Sequence, residues 1–472
     1  MLWRTLHGLL PILLLWLLAA CSSEIRPDLQ RLYQLSNAAE QPPVIIVPGI
    51  LGSRLARIDD GEEVWPGSLW QLMFSDYDAL RLHIDSRHPA PEAGLQQVTG
   101  ITDQVAGRDF YGSIINILRL AAGYLPGQPG QPARKGERRY YVFAYDWRQD
   151  NQISAVKLGE LIEQIRADYG NPKLKVDIIA HSMGGLITRY YLRYGALDVL
   201  ERNDFPVTLE GARKVRRVVL LGTPSMGSVN SVRSFIGGFD VGLTQVPTDI
   251  LATFPSVYQL FPHALVDWII SENGTPLKRD IYSRRIWERF QWSVFNPDVQ
   301  QKVRQRVLDT GAATEAAEDY LQHLQAFFGR QLERARRFSW SLTVPMPEVP
   351  YEMVVFGGDC SLTPARILVE KTATDFAVRL WPDEVQNRVP GVDYDRLMLE
   401  PGDSTVTKAS LLGRVTLDPS VPRHEYSFFP ARYPIFVCED HEHLTQNLTF
   451  QDNLLHFLLS RDAETAMQTS QE

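Results

Sequence analysis

Apolar residues fall along this chain in two textures, short runs rich in β-branched side chains and longer stretches in which they recur every three or four positions. Segments 44–47 (VIIV), 140–144, 176–180, 215–221, 351–356 and 434–437 are of the first kind, the composition of strands buried on both faces of a parallel sheet. Leu158, Leu161, Ile162, Ile165 and Tyr169 recur at helical spacing, so 155–169 is expected as an amphipathic helix. A second helix is expected over 186–194, ending at Gly195, and a last one over 450–459 with Thr449 and Asp452 as its cap. This alternation predicts a mostly parallel, doubly wound sheet with helices on both faces. Right-handed crossovers then set the strands' carboxyl ends along one edge.

The texture changes between Ser231 and about Pro350, where Phe254, Phe261, Trp268, Trp287, Phe290, Trp292, Phe295, Phe327 and Phe328 are spread among helical polar segments. This stretch reads as a mainly helical insertion, a cap over 231–349. Its aromatics suit either ordinary packing or a lid with an apolar face for lipid. The remaining divisions are a signal peptide over 1–20, a stem over 21–41, two core segments over 42–230 and 350–460, and a disordered tail over 461–472.

With 472 residues, 44% of them hydrophobic, the chain can bury a large core. A net charge of −8 argues against nucleic acid as a partner, since phosphate neutralisation needs a basic face. At the N-terminus Arg4 precedes an apolar run from Leu9 to Leu18 and the sequence Leu18-Ala19-Ala20-Cys21-Ser22-Ser23. The run is short for a membrane span. It resembles a bacterial lipoprotein signal, which implies that Cys21 is lipidated and that the protein is anchored in a cell envelope, at the outer membrane because Ser22 is not aspartate. An ordinary secretory signal is the alternative. Cys360 and Cys438 are then an even pair in an oxidising compartment, either one disulfide or two buried thiols.

The candidate chemistry lies at Ala180-His181-Ser182-Met183-Gly184-Gly185, where an apolar strand delivers a serine into a small-residue turn that opens a helix. Such a nucleophile elbow strains the serine backbone and exposes Oγ, and here Ala180 stands where the motif usually has glycine. The α/β-hydrolase order of nucleophile, acid and base places both partners beyond Ser182. Asp403, in Gly402-Asp403-Ser404-Thr405-Val406, is the first candidate acid, and Asp359, directly after a predicted strand, is its competitor. Asp440-His441-Glu442-His443 offers His441 or His443 as base. A zinc site at these histidines is disfavoured because no third histidine cluster or cysteine pair joins them, so neither metal nor cofactor is expected. Backbone N–H groups of Met183 and of Ile50, in the turn after the first strand, are the expected oxyanion donors.

Read together, Pro43 to Ser53 (PVIIVPGILGS), Tyr145-Asp146-Trp147-Arg148, Ala180 to Gly185, Leu221-Gly222-Thr223-Pro224 and Gly402 to Val406 resemble, in order and spacing, the lecithin:cholesterol acyltransferase family. The resemblance runs from about Pro43 to Leu459. It implies an α/β-hydrolase fold and a serine enzyme that moves an acyl group from a phospholipid or similar ester at a membrane surface to water or an alcohol. Ser182 would carry the acyl group, Asp403 would orient the base, and Ile50 and Met183 would stabilise the oxyanion. Asn447-Leu448-Thr449 aligns best with the family's pattern when His441 is the base. Asp146, Trp147 and Arg148 match a structural corner beneath the site. No cysteine pair matches the family's membrane-binding loop, and Trp65, Trp70 and Phe74 fall in that region. A general carboxylesterase or triacylglycerol lipase of the same fold, and a non-catalytic lipid-binding lipoprotein, are the competing readings.

Overall fold

A computed structural model of the chain describes residues 27–33, 41–67, 75–84, 96–102, 104–105, 108–109, 111–241, 244–372 and 375–460. The segment 1–20 expected as a signal peptide, Cys21, Trp70, Phe74 and residues 461–472 lie outside the described residues. At its centre is a seven-stranded sheet built from β1 (Val44–Val47), β2 (Leu125–Pro126), β3 (Arg139–Val142), β4 (Val176–His181), β5 (Val215–Leu221), β6 (Glu352–Gly358) and β7 (Tyr433–Val437). Their order is β7-β6-β5-β4-β1-β3-β2, and every pairing is parallel. The chain has the α/β-hydrolase fold.

The β-branched runs form these strands because both faces of the sheet are covered. Ile45, Val47, Ile178, Ala180, Val218, Leu220, Met353 and Val355 point into one core, and Val44, Ile46, Ile179, Val219, Leu221, Val354 and Phe356 into the other. The second core is closed by α1 (Gly112–Leu120) and by the last helix. Between β3 and β4 lies α2 (Asn151–Asp168), whose first turn is capped by the Asp150 side chain accepting from Gln152 N–H. It starts four residues before the predicted 155, because the cap lies upstream of the apolar repeat. After β4 comes α3 (Met183–Tyr194), which stops at Gly195 in a positive-φ conformation.

Over the insertion the longest element is α4 (Thr314–Ser341), which buries Leu321, Leu324, Phe327, Phe328, Leu332 and Phe338. Phe235, Tyr258, Phe261, Trp287 and Phe328 interlock with ring centroids 4.7–6.0 Å apart. The aromatic texture is mostly packing: Phe254, Phe261, Trp268, Trp287, Trp292, Phe295, Phe327 and Phe328 are buried, and Phe290 is half-buried and stacked on Trp292.

After β6 the chain leaves the sheet through Ser361–Pro364, which pairs antiparallel with Leu399–Gly402 on the way back. Within this excursion Ile367–Lys371 pairs with Ile269–Ser271 of the insertion and with Phe376–Arg379. The sequence reading did not anticipate this small sheet, which joins a strand of the 231–349 segment to two of the 350–460 segment. The last helix, α5, is Leu448–Leu459, and its cap is Asn447, whose side chain accepts from Phe450 N–H. Thr449 and Asp452 lie inside the helix rather than capping it; an asparagine two positions upstream intercepts the first-turn donors.

Candidate active site

Ser182 follows the last residue of β4 and precedes the first of α3, with φ 52° and ψ −124°, a combination that L-residues rarely adopt. Small residues allow the turn. A Cβ on Gly184 would stand 2.4 Å from the Pro48 carbonyl oxygen, and one on Gly185 2.0 Å from Thr223 Oγ1. Ala180 lies two residues before the turn, inside the strand, where its methyl packs in the core. That position needs no glycine.

His441 sits in the loop after β7 with Nε2 3.0 Å from Ser182 Oγ and Nδ1 2.8 Å from Asp403 Oδ2. A second bond, from His441 N–H to the Asp403 carbonyl oxygen at 2.8 Å, ties the two backbones. The other carboxylate oxygen of Asp403 accepts N–H groups from Thr405 (3.1 Å) and Val406 (2.7 Å), which fixes the plane of the carboxylate. Asp403 is fully buried, and Ser182 and His441 are each 8% exposed. Burial opposes a charged imidazole at His441, but the Asp403 charge and its hydrogen bond outweigh it and hold the pKa above the ordinary value. Gly222, with φ 59°, leaves room for that ring, since a Cβ there would lie 2.9 Å from His441 Cε1.

The excursion after β6 explains why two carboxylates competed in the sequence. Its antiparallel stem returns Asp403 to the end of β6, where a Cβ on Gly358 would lie 2.8 Å from Asp403 Cβ. Asp359 is adjacent in the chain but turned away, paired with Lys408 at 2.6 Å. His443 likewise faces outward: it is exposed and heads the short 3-10 turn Leu444–Gln446. Among the described residues no group of three His, Cys, Asp or Glu side chains is placed to hold a metal ion. Cys360 and Cys438 are joined in a disulfide across the ends of β6 and β7, with Cα atoms 5.1 Å apart.

The turn after β1 runs beside the serine. It is closed by Gly52 N–H donating to the Gly49 carbonyl, and a Cβ on Gly49 would lie 2.8 Å from Ser182 Cβ. This brings Ile50 to the elbow, while Met183 is the first residue of α3, where backbone N–H groups have no partner within the helix. The Tyr-Asp-Trp-Arg segment braces the turn from below. Tyr145 Oη donates to the Pro48 carbonyl (2.8 Å) and Trp147 Nε1 to the Ser53 carbonyl (3.1 Å), while Arg148 is buried in an ion pair with Asp146 (2.8 Å). Trp65 is also buried, its Nε1 donating to the Leu51 carbonyl at 2.8 Å, so it does not face a membrane.

Two residues beside the site had no part in the sequence reading. His181 entered only as a letter of the serine motif, and Tyr111 belongs to no motif at all. Their hydrogen bonds to one another and to Gly49 appear only once β1, β4 and α1 are brought together.

A family model described as "Lecithin:cholesterol acyltransferase" matches residues 135–412. The chain belongs to the lecithin:cholesterol acyltransferase family. Membership identifies an enzyme of lipid acyl esters, with hydrolysis and acyl transfer both within the family's chemistry. No curated protein matches the chain. Among solved structures, the Tle4-Tli4 complex is similar in fold, with a TM-score of 0.50 at 14% identity over 89% of this chain and 98% of that one. EstA from Clostridium botulinum gives a TM-score of 0.35 at 11% identity, covering 89% of this chain and 87% of that one. Lipase 1 from Pelosinus fermentans gives 0.35 at 11% identity, covering 90% and 100%.

Proposed function

We propose that this family member is a serine acyl-enzyme hydrolase or O-acyltransferase of phospholipids or similar lipid esters, with Ser182 as nucleophile, His441 as general base and Asp403 as its orienting acid. The observation that carries the reading is the unbroken hydrogen-bonded line from Asp403 through His441 to Ser182 Oγ. Ser182 Oγ attacks the ester carbonyl as its proton passes to His441 Nε2, and the imidazolium is stabilised by the Asp403 carboxylate. The carbonyl's electron pair becomes an oxyanion facing the Ile50 and Met183 N–H groups, and each such donor is worth about 3 to 4 kcal/mol. Collapse re-forms the carbonyl and breaks the bond to the alcohol, which leaves with the proton from Nε2. Water or a second alcohol then gives its proton to Nε2 and attacks the acyl-enzyme carbonyl, and collapse of the second oxyanion breaks the bond to Ser182 Oγ, which takes the proton back from Nε2 as fatty acid or a new ester is released. No cofactor is needed for either half.

The Leu18-Ala19-Ala20-Cys21 sequence supports an anchor of acyl chains on Cys21, holding the catalytic domain at a bacterial envelope membrane. Among the described residues no helix is long and apolar enough to cross a membrane. Metabolic labelling with an alkynyl fatty acid tests the anchor: label that persists in Cys21→Ala defeats it.

Mass spectrometry of products from phospholipid and a short alcohol tests the reaction. Product that disappears in Ser182→Ala is expected. An alkyl ester marks transfer, and fatty acid alone marks hydrolysis. Turnover of simple esters without phospholipid cleavage would move the reading to a general carboxylesterase, and silence on both to a lipid-binding lipoprotein.

A further inference from the structure

We propose that Tyr111 and His181 are positioning residues that clamp the Gly49–Ile50 turn against the Ser182 elbow, so that the Ile50 N–H is held where an oxyanion forms. The proposal rests on the acyl-enzyme reading above. Tyr111 caps α1 and is 1% exposed, with its hydroxyl set in the mouth of the turn after β1. Gly49 N–H donates to that hydroxyl at 2.8 Å, and a Cβ on Gly52, at the other end of the turn, would lie 3.1 Å from the same oxygen. Because the hydroxyl is already accepting, its own hydrogen is free to go to His181 Nδ1, 3.0 Å away. His181 is the last residue of β4, directly before the nucleophile. One buried line of two hydrogen bonds therefore joins the Pro48–Gly49 peptide, one residue upstream of the Ile50 N–H, to the residue before Ser182.

The other braces hold different atoms of the turn. Tyr145 holds the carbonyl end of the Pro48–Gly49 peptide and Trp147 the Ser53 carbonyl beyond the turn, and of these braces only Tyr111 ties the N–H end of that peptide to the strand that carries Ser182. His181 also packs against the base, with ring centroids 4.9 Å apart. Burial, followed by the nearby His441, pushes the His181 pKa down to about 3, so this ring stays neutral while His441 takes up and releases a proton. With its proton on Nε2, a neutral His181 offers Nδ1 as the acceptor for Tyr111 throughout the cycle.

A tyrosine that merely filled the core would, on losing its hydroxyl, lower stability and leave the chemistry alone. The clamp predicts a different outcome for Tyr111→Phe assayed in the full chain on matched oxo- and thionoester substrates. The expected result is a kcat about 30-fold lower with KM unchanged, part of the 10²- to 10³-fold loss known for removing a whole oxyanion donor. The oxoester-to-thionoester rate ratio should shrink as well, because sulfur gains less from the donor that has drifted. His181→Leu should reproduce both effects, and His181→Asn, which keeps an acceptor near the Nδ1 position, should restore part of the rate. Adding Tyr111→Phe to His181→Leu should cost little more, since both break one line. Wild-type kcat and rate ratio in Tyr111→Phe, or full additivity in the double variant, would overturn the clamp. If Tyr111→Phe does not fold, the His181 pair carries the same test. Failure of the wild type to react at Ser182 with a fluorophosphonate would instead overturn the acyl-enzyme reading itself.

Discussion

Replacing Asp403 by asparagine changes one atom of a buried side chain, and the surroundings dictate how the new amide must sit. Two backbone N–H groups, from Thr405 and Val406, point at one oxygen of the residue, so the amide oxygen will stay there and the NH₂ will face His441 Nδ1. That NH₂ only donates. Nδ1 must then accept, the ring proton moves to Nε2, and Nε2 faces Ser182 Oγ, 3.0 Å away, as a donor when it needs to be a base. Losing a charge-assisted hydrogen bond of about 1.5–3 kcal/mol to the imidazolium accounts for about a 10- to 150-fold fall in rate. The inverted tautomer accounts for the rest of an expected loss of about 10⁴ in kcat, the magnitude seen for the same change in serine proteases. The pH profile supplies an independent sign. In the wild type the Asp403 charge holds the His441 pKa above 6.5, and the base works only when neutral, so activity should fall as pH drops through a point above 6.5. Without the carboxylate, burial favours the neutral ring and only the smaller attraction of Glu442 opposes it, so the acid limb of the residual activity should move to lower pH than in the wild type. Steady-state kcat/KM on a soluble ester from pH 4 to 9 reads both effects. A variant within tenfold of wild type, or one whose acid limb stays in place, would refute the assignment of Asp403.

The alternatives at the site separate by simple substitution. His443→Ala should keep kcat within about twofold, as expected for an exposed side chain outside the hydrogen-bonded line, whereas His441→Ala should lose at least about 10³. Asp359→Asn removes a partly exposed pair with Lys408 and should cost under about 1 kcal/mol of stability by chemical denaturation, with activity retained. Gly184→Ala drives a methyl against the Val47 and Pro48 carbonyl oxygens and should lower stability by about 1–3 kcal/mol and abolish labelling of Ser182; a variant as stable and reactive as wild type would contradict the packing of the elbow. The disulfide closes a loop across a sequence separation of 78 residues, so Cys360→Ser with Cys438→Ser should cost about 2–5 kcal/mol in the thermal midpoint analysis, and an unchanged midpoint would show the bond to be dispensable.

How much of this was legible in the sequence depended on whether the determining contacts were local. The strands β1 and β5 end where their apolar runs do, because a strand buried on both faces is mostly apolar and the next residues are a Pro-Gly or Gly-Thr-Pro turn; the two charges inside β5, Arg216 and Arg217, are paired with Asp177 and Glu352. The elbow was legible for the same reason, since the strand, the small residues and the helix it needs are consecutive. The choice between Asp403 and Asp359 was not a local matter. It is decided by the antiparallel stem of 361–364 against 399–402, which returns a distant aspartate to the end of β6 and turns the near one toward Lys408. His441 and His443 differ by a similar accident of direction, two residues apart in a loop whose first histidine is tied by its backbone to Asp403. The aromatic insertion was ambiguous because burial against a core and display to lipid call for the same side chains. Tyr111 marks the limit of the method, for a tyrosine before an apolar helix has no pattern of its own. Only the approach of three segments, at 49, 111 and 181, sets its hydroxyl beside the serine elbow, and contacts between segments so far apart in the chain leave no local pattern to read.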